Sequence, residues 1–202
     1  MTTIAFYYSI GSRYSYLASS QLARLEQDFG CRVDWRPING SALRARSVYN
    51  PFEQARATGQ YDWSYRERDA TRWAALYGIP FLEPRGRVQF DPQQLALAAV
   101  AAKRLGVVEA MSHALFGAMF AEAAVTAIDR AECIRRAQAC SIAAARFEQE
   151  LDDPATAQEL ADITGEADRL GVFGVPTFVV DGELFWGNDR LVLLRQHLAA
   201  RG

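Results

Sequence analysis

The 202-residue sequence predicts an α/β fold in which two short α/β segments flank a long all-helical block. Three observations carry this. The first 38 residues read β-α-β, the last forty read as loop, hairpin and helix, and everything from about residue 63 to 170 shows helical spacing.

Thr3–Tyr8 (TIAFYY) is short and rich in β-formers, so it reads as a strand. The turn Ser9-Ile10-Gly11-Ser12 leads into one helix, with Ala18, Leu22, Leu25 and Phe29 on a single face and Gly30 as its stop. Cys31–Ile38 alternates Val33, Trp35 and Pro37 with charged residues, a second strand. A helical crossover of this length favours parallel pairing of the two strands. Gly40, Asn50, Pro51 and Gly59 mark irregular chain. The spacing then predicts helices at Trp63–Tyr77, Asp91–Leu105, Val107–Ala121, Arg130–Ala139, Ile142–Glu150 and Pro154–Leu170. Gly171–Pro176 is a loop. Thr177–Val180 and Glu183–Trp186 form a hairpin about Asp181-Gly182, and a last helix begins at Asn188 or Asp189 with Leu191, Leu194 and Leu198 on its apolar face. This order is the layout of a thioredoxin-like fold with an all-helical insertion. Residues 1–40 and 171–202 form the discontinuous thioredoxin-like domain and 41–170 the insertion domain.

Half of the residues are hydrophobic, 23% are charged, and the formal net charge is −2. That composition is ordinary for a globular protein and gives no nucleic-acid footprint. The N-terminus lacks the pattern of a signal peptide, and no apolar run reaches the length of a membrane span. A cytoplasmic location is the expectation, with no membrane partner. The three cysteines, Cys31, Cys133 and Cys140, include no Cys-x-x-Cys pair, and the spacing of the last two on one helical stretch argues against a disulfide. They read as small buried hydrophobes. No metal cluster is expected.

Three constellations could carry chemistry. Ser12-Arg13-Tyr14-Ser15 lies between strand and helix, where redox relatives of this layout keep Cys-x-x-Cys. A helix start offers free N–H groups and a positive dipole end, which favour a thiolate. With serine at both positions, the site either receives a thiolate from elsewhere or uses Ser12 merely as an N-cap. Gly174-Val175-Pro176-Thr177 precedes a strand, the place where a cis proline faces the active turn in this layout. Trp186-Gly187-Asn188-Asp189-Arg190 opens the last helix. Its N–H groups suit a carboxylate and Asp189 suits an ammonium, or else Asp189 simply caps the helix. His113 and His197 fall on helices away from these motifs and read as structural or surface residues.

FYYSIGSRYSYLA (6–18), DATRWAALYGIPF (69–81) and FGVPTFVVDGELFWGNDRL (173–191) together resemble the 2-hydroxychromene-2-carboxylate isomerases, which group with the kappa-class glutathione transferases and the DsbA-like proteins. The resemblance implies glutathione as cofactor, an aromatic or unsaturated oxo acid as substrate, and a homodimer. It assigns Ser12 to the glutathione thiolate, Val175 and Pro176 to the cysteinyl backbone, Asn188 and Asp189 to the γ-glutamyl group, and Asn50 to the ligand face. Arg13, Tyr14 and Trp186 become candidates for contact with the acid. The family usually has Asp at the position of Ser9 and Pro at that of Arg13. Relatives often carry a lysine after the first β-α-β unit, whereas the one lysine here is Lys103, with Arg44, Arg46 and Arg56 as candidate replacements. The alternatives are a kappa-type transferase, a disulfide oxidoreductase, which lacks its cysteine here, and a non-catalytic binding module.

Overall fold

The computed structural model describes residues 1–46 and 63–201. Asn50, Arg56 and the stretch around Pro51 and Gly59 lie outside the described residues, as do the side chains of Arg44 and Arg46. Strands β1 (Thr3–Tyr8) and β2 (Arg32–Pro37) pair in parallel, with Phe6 opposite Trp35. Strand β1 also pairs antiparallel with β5 (Thr177–Val180), which forms the predicted hairpin with β6 (Glu183–Trp186). The sheet order is β2-β1-β5-β6, a thioredoxin-like sheet with β6 at its edge.

The predicted single helix after the first turn is two helices, α1 (Arg13–Ser19) and α2 (Leu22–Phe29). The Ser19 and Ser20 hydroxyls donate back to the Tyr16 and Leu17 carbonyls at 2.8 and 2.7 Å, and the helix stops there. Gly30 closes α2 in the left-handed conformation (φ 58°). Residues 40–46, expected to be irregular, form α3 (Gly40–Arg46).

The insertion comprises α4 (Trp63–Tyr77), α5 (Pro92–Arg104), α6 (Val108–Phe120), α7 (Arg130–Ala139), α8 (Ala144–Asp152) and α9 (Pro154–Arg169). Asp91, Asp129 and Asp153 cap α5, α7 and α9 with their carboxylates. Helix α8 starts two residues later than expected, because Ala143 stands as its extended N-cap. Two short parallel strands, β3 (Gln89–Phe90) and β4 (Ala127–Ile128), escaped the sequence reading, being two residues each. At the C-terminus a 3₁₀ turn, Asn188–Arg190, precedes α10 (Leu191–Ala199), so the regular helix starts later than Asn188 or Asp189. None of the described helices is long and apolar enough to cross a membrane.

Both sheet faces are covered. On one, Phe6 stacks on Phe178 (centroids 5.1 Å apart) and Trp35 stands edge-on to Phe6 and Tyr8. This cluster is continuous with Leu17, Leu25, Leu95, Phe116 and Leu194 from α1, α2, α5, α6 and α10. The buried Tyr8 hydroxyl shares a 2.5 Å hydrogen bond with Ser112 of α6, and burial pushes its pKa up. On the other face Tyr7 and Val179 meet Val100 of α5 and Leu160 and Ile163 of α9. Helix α5 contributes to both clusters, so the inserted helices share the cores of the sheet.

At the β2 edge, Lys103 donates to Asp34 Oδ1 (2.7 Å) and to the Trp35 carbonyl (3.0 Å), while Arg36 bridges Asp34 (2.7 Å) and Glu166. Burial alone would raise the Asp34 carboxyl, but hydrogen bonds from Lys103 and Arg36 outweigh it and hold the group below the usual carboxylate range. A depressed folded pKa stabilises the protein above the unfolded value, near ~3.9, and that contribution disappears as pH falls through the folded value. Asp34→Asn is therefore expected to lower stability at pH 7 by roughly 1–3 kcal/mol and to shrink the loss seen on acidification below about pH 4. Urea unfolding across pH measures both.

Candidate active site

The register places three turns at one end of the sheet. Tyr7 lies opposite Thr177, and Thr177 opposite Trp186. The chain leaving β1, the chain entering β5 and the chain leaving β6 therefore emerge together, and α1 packs against the 188–190 turn. Ser12, Val175, Pro176, Asn188 and Asp189 all belong to these segments.

Ser12 is the N-cap of α1. Its Oγ accepts from the Ser15 N–H at 3.2 Å, and its own N–H donates to the Ser9 carbonyl at 3.0 Å. The Ser15 hydroxyl in turn accepts a longer bond from the Ser9 N–H (3.4 Å). The capping role is thus real, but it uses only a lone pair of Ser12. No described hydrogen bond takes the hydroxyl proton, which leaves the half-buried side chain a donor. Gly11 gives room beneath the turn, since a Cβ there would sit 2.9 Å from the Phe90 ring.

The insertion grips the start of α1. Tyr14 donates to Asp69 of α4 (2.8 Å) and Tyr16 to the Pro80 carbonyl (2.6 Å). Arg13, 9% exposed, meets Glu83 through two contacts, Nη2–Oε1 at 3.1 Å and Nη1–Oε2 at 2.9 Å, the second ionic rather than a well-aligned hydrogen bond. Burial lowers the Arg13 pKa and Glu83 opposes that shift. Arg13 therefore does not stand as an uncompensated cation beside Ser12.

The Val175–Pro176 peptide is cis, as its position in the fold predicts. The Pro176 carbonyl accepts from Gly187 N–H (2.9 Å) and the Thr177 hydroxyl donates to the Gly174 carbonyl (2.7 Å), tying the two C-terminal turns together. Trp186 closes over Gly174, where a Cβ would lie 2.5 Å from its indole nitrogen, and it also packs on Phe173.

Neither Asn188 nor Asp189 caps a helix with its side chain, contrary to the plain capping alternative. Gly187 occupies the N-cap, with no side-chain hydrogen bond. Asp189 is exposed and pairs with Arg190. Asn188 is 2% exposed, and its amide oxygen and nitrogen both lack a hydrogen-bond partner. The Tyr77 hydroxyl neighbours this amide without a well-formed bond; burial raises the Tyr77 pKa and Asn188 partly offsets the rise. Leaving a buried amide unpaired costs about 1–3 kcal/mol. Glu83 and Phe90 escaped the sequence reading, and Tyr77, though inside the quoted 69–81 segment, was given no role there, because each reaches the site from more than sixty positions away.

None of the three cysteines stands at the turn. Cys31 and Cys133 are buried and Cys140 is half-buried. Burial pushes all three thiols up, that of Cys133 to about 12. Thiol–disulfide exchange needs an accessible thiolate, which these positions disfavour.

Comparison with known proteins agrees with this fold. The family described as DSBA-like thioredoxin domain matches residues 3–199. A 2-hydroxychromene-2-carboxylate isomerase from Sphingobium xenophagum is 30% identical over 97% of this chain and 97% of its own, and one from Pseudomonas putida is 26% identical over 95% and 91%. The solved structure of a 2-hydroxychromene-2-carboxylate isomerase superposes with a TM-score of 0.82 at 25% identity, over 98% of this chain and 95% of that one. A probable DsbA oxidoreductase from Streptomyces coelicolor has a TM-score of 0.76 at 20% identity, over 99% of this chain and 89% of that one, and shares the fold.

The orphaned amide yields a test. Asn188→Leu removes an unpaired polar group at similar volume, so the ligand-free protein is expected to melt about 2–4 °C higher per ~1 kcal/mol regained. A scanning-calorimetry melting temperature that falls instead would mean the amide is satisfied in solution.

Proposed function

Because the chain belongs to the DSBA-like thioredoxin-domain family, and within it groups with the 2-hydroxychromene-2-carboxylate isomerases, we propose that it is a glutathione-dependent isomerase of 2-hydroxychromene-2-carboxylate or a related aromatic oxo acid. The observation that carries this reading is the Ser12 hydroxyl, held at the start of α1 with its proton uncommitted. Three features support glutathione. The turn has serine where sulfur chemistry would need cysteine, the Asn188 amide is buried without partners, and the Gly174–Pro176 and Gly187–Asp189 turns adjoin. Val175 and Pro176 would hold the cysteinyl backbone, and Asn188 and Asp189 the γ-glutamyl end.

When bound, glutathione supplies a thiolate nucleophile for reversible addition to an unsaturated acid. The protein's part is to keep that sulfur ionised near neutral pH. A free thiol of pKa ~8.5 is only a few per cent ionised at pH 7. Lowering it by about two units requires roughly 2.7 kcal/mol of preference for the anion. A charge-assisted hydrogen bond from Ser12 supplies about 1.5–3 kcal/mol. The end of α1 adds the lower part of the ~0.3–1 kcal/mol range, since that helix has only seven residues. These contributions suffice, so no histidine base is required. His113 packs edge-on against Trp35 and His197 pairs with Asp181, both serving structure.

Isothermal titration calorimetry with glutathione is the direct test, and a chain that produces no heat would falsify the reading. In Ser12→Ala, glutathione is expected to bind within a few-fold of the parent while its thiol pKa rises by about 1–2 units. Ultraviolet titration of the bound thiolate measures the shift.

A further inference from the structure

The buried Asn188 amide, unpartnered at both ends, has one polar neighbour of note, the Tyr77 hydroxyl. Tyr77 also lies within the field of Asp189. The fold delivers this hydroxyl with some precision. Tyr77 is the last residue of α4, and Gly78 turns the chain there in the left-handed conformation (φ 68°). Helix α4 and the Asn188–Arg190 turn both pack against α1. Hydrogen bonds from Tyr14 to Asp69 and from Tyr16 to the Pro80 carbonyl tie the α4 region to that helix on either side of Tyr77. The Tyr77 ring is held against Trp73, with centroids 5.5 Å apart.

The two ends of the amide are not equivalent. Asn188 Oδ1 only accepts and Nδ2 only donates. Asp189, an exposed carboxylate, suits the ammonium of a γ-glutamyl group. The α-carboxylate of that group then falls to Asn188, and only the Nδ2 end can serve it. Oδ1 turned the same way would set acceptor against acceptor. A buried amide with no partner has nothing to choose between its two orientations. A donor placed on Oδ1 makes the choice, and a tyrosine hydroxyl is such a donor. Burial also favours the protonated phenol at Tyr77.

We infer that Tyr77 is a positioning residue for the γ-glutamyl carboxylate: its hydroxyl donates to Asn188 Oδ1 and so turns the Nδ2 group toward the ligand. This rests on the glutathione reading and adds to it a side chain from the insertion, so that the γ-glutamyl pocket is built by both parts of the chain. Tyr77 acts through Asn188 and has no part in holding the sulfur. Its effect therefore falls on affinity, whereas that of Ser12 falls on the thiol pKa.

The test is calorimetry on the whole chain with glutathione and with 4-aminobutanoyl-Cys-Gly, the same tripeptide without its α-carboxylate. Tyr77→Phe removes one oxygen and keeps the ring on Trp73, and unchanged circular dichroism verifies the fold. Glutathione is expected to bind Tyr77→Phe roughly fivefold or more weakly than the parent, the effect of one lost hydrogen bond to a buried amide. The decarboxylated analogue, followed by competition where its own heat is small, is expected to bind both proteins equally. The pKa of the bound glutathione thiol is expected to stay at the parent value. Adding Tyr77→Phe to Asn188→Leu is expected to cost no further affinity, because the two side chains act as one unit. Glutathione binding equally well to the parent and to Tyr77→Phe overturns the inference. So does an equal loss for the analogue or in the Asn188→Leu background, since the hydroxyl would then serve only the packing of α4. The glutathione reading fails separately, on a parent that gives no heat with glutathione, and the Tyr77 role falls with it.

Discussion

The antiparallel register of β1, β5 and β6 is the constraint on which the site depends. Pairing Tyr7 with Thr177 and Thr177 with Trp186 delivers three sequence-distant turns to one end of the sheet. Burial on both faces protects that register. Phe6 and Tyr8 belong to one core and Tyr7 to the other, so a slip of one residue would drive each into the wrong layer. The same double burial explains why β1 carries three consecutive aromatic residues rather than an alternating pattern.

The insertion does more than add mass beside the sheet. Its residues hold the first turn of α1 at three points, through Asp69, Pro80 and Glu83. Ser12 is then fixed from two directions, by its own capping bond and by the neighbours that follow it in the chain. This accounts for how Arg13 is held at the first helical position, where the family resemblance led to an expectation of proline. Proline presets the backbone at a helix start, whereas here the Ser9 carbonyl, the Ser12 cap and the Arg13–Glu83 pair hold the same turn. The Arg13 charge is consumed in doing so, which removes a cation from the immediate field of Ser12.

How far the structure could be read from the sequence follows a physical line. Elements set by local periodicity and local stops were readable: β1, the hairpin about Asp181-Gly182, and helices such as α4 and α7. The break between α1 and α2 was not, because an apolar stripe continues across it and two serine hydroxyls decide the stop. Strands of two residues, such as β3 and β4, exist only through pairing with each other. At the site, Ser12, Pro176 and Asn188 could be singled out, and the cis form of Pro176 and the capping bond of Ser12 expected, but not the state of Asn188 or the partner of Arg13. That Asn188 is buried with an empty hydrogen-bonding inventory, and that Arg13 is claimed by Glu83, are consequences of tertiary packing over long sequence separation.

The exchange of sulfur for oxygen at position 12 has a definite chemical meaning in this setting. A cysteine at the helix start would be ionised by the helix N–H groups and become the nucleophile itself. A serine hydroxyl stays protonated there, so the same geometry turns an acceptor of charge into a donor toward it. The Ser15 N–H, which would otherwise serve an anion, is already taken by the Ser12 oxygen. On the proposed reading, an incoming anion would therefore meet the Ser12 proton first, with the end of α1 adding a smaller share. On the same reading, the unpaired Asn188 amide at the neighbouring turn would meet the hydrogen-bonding groups of that ligand.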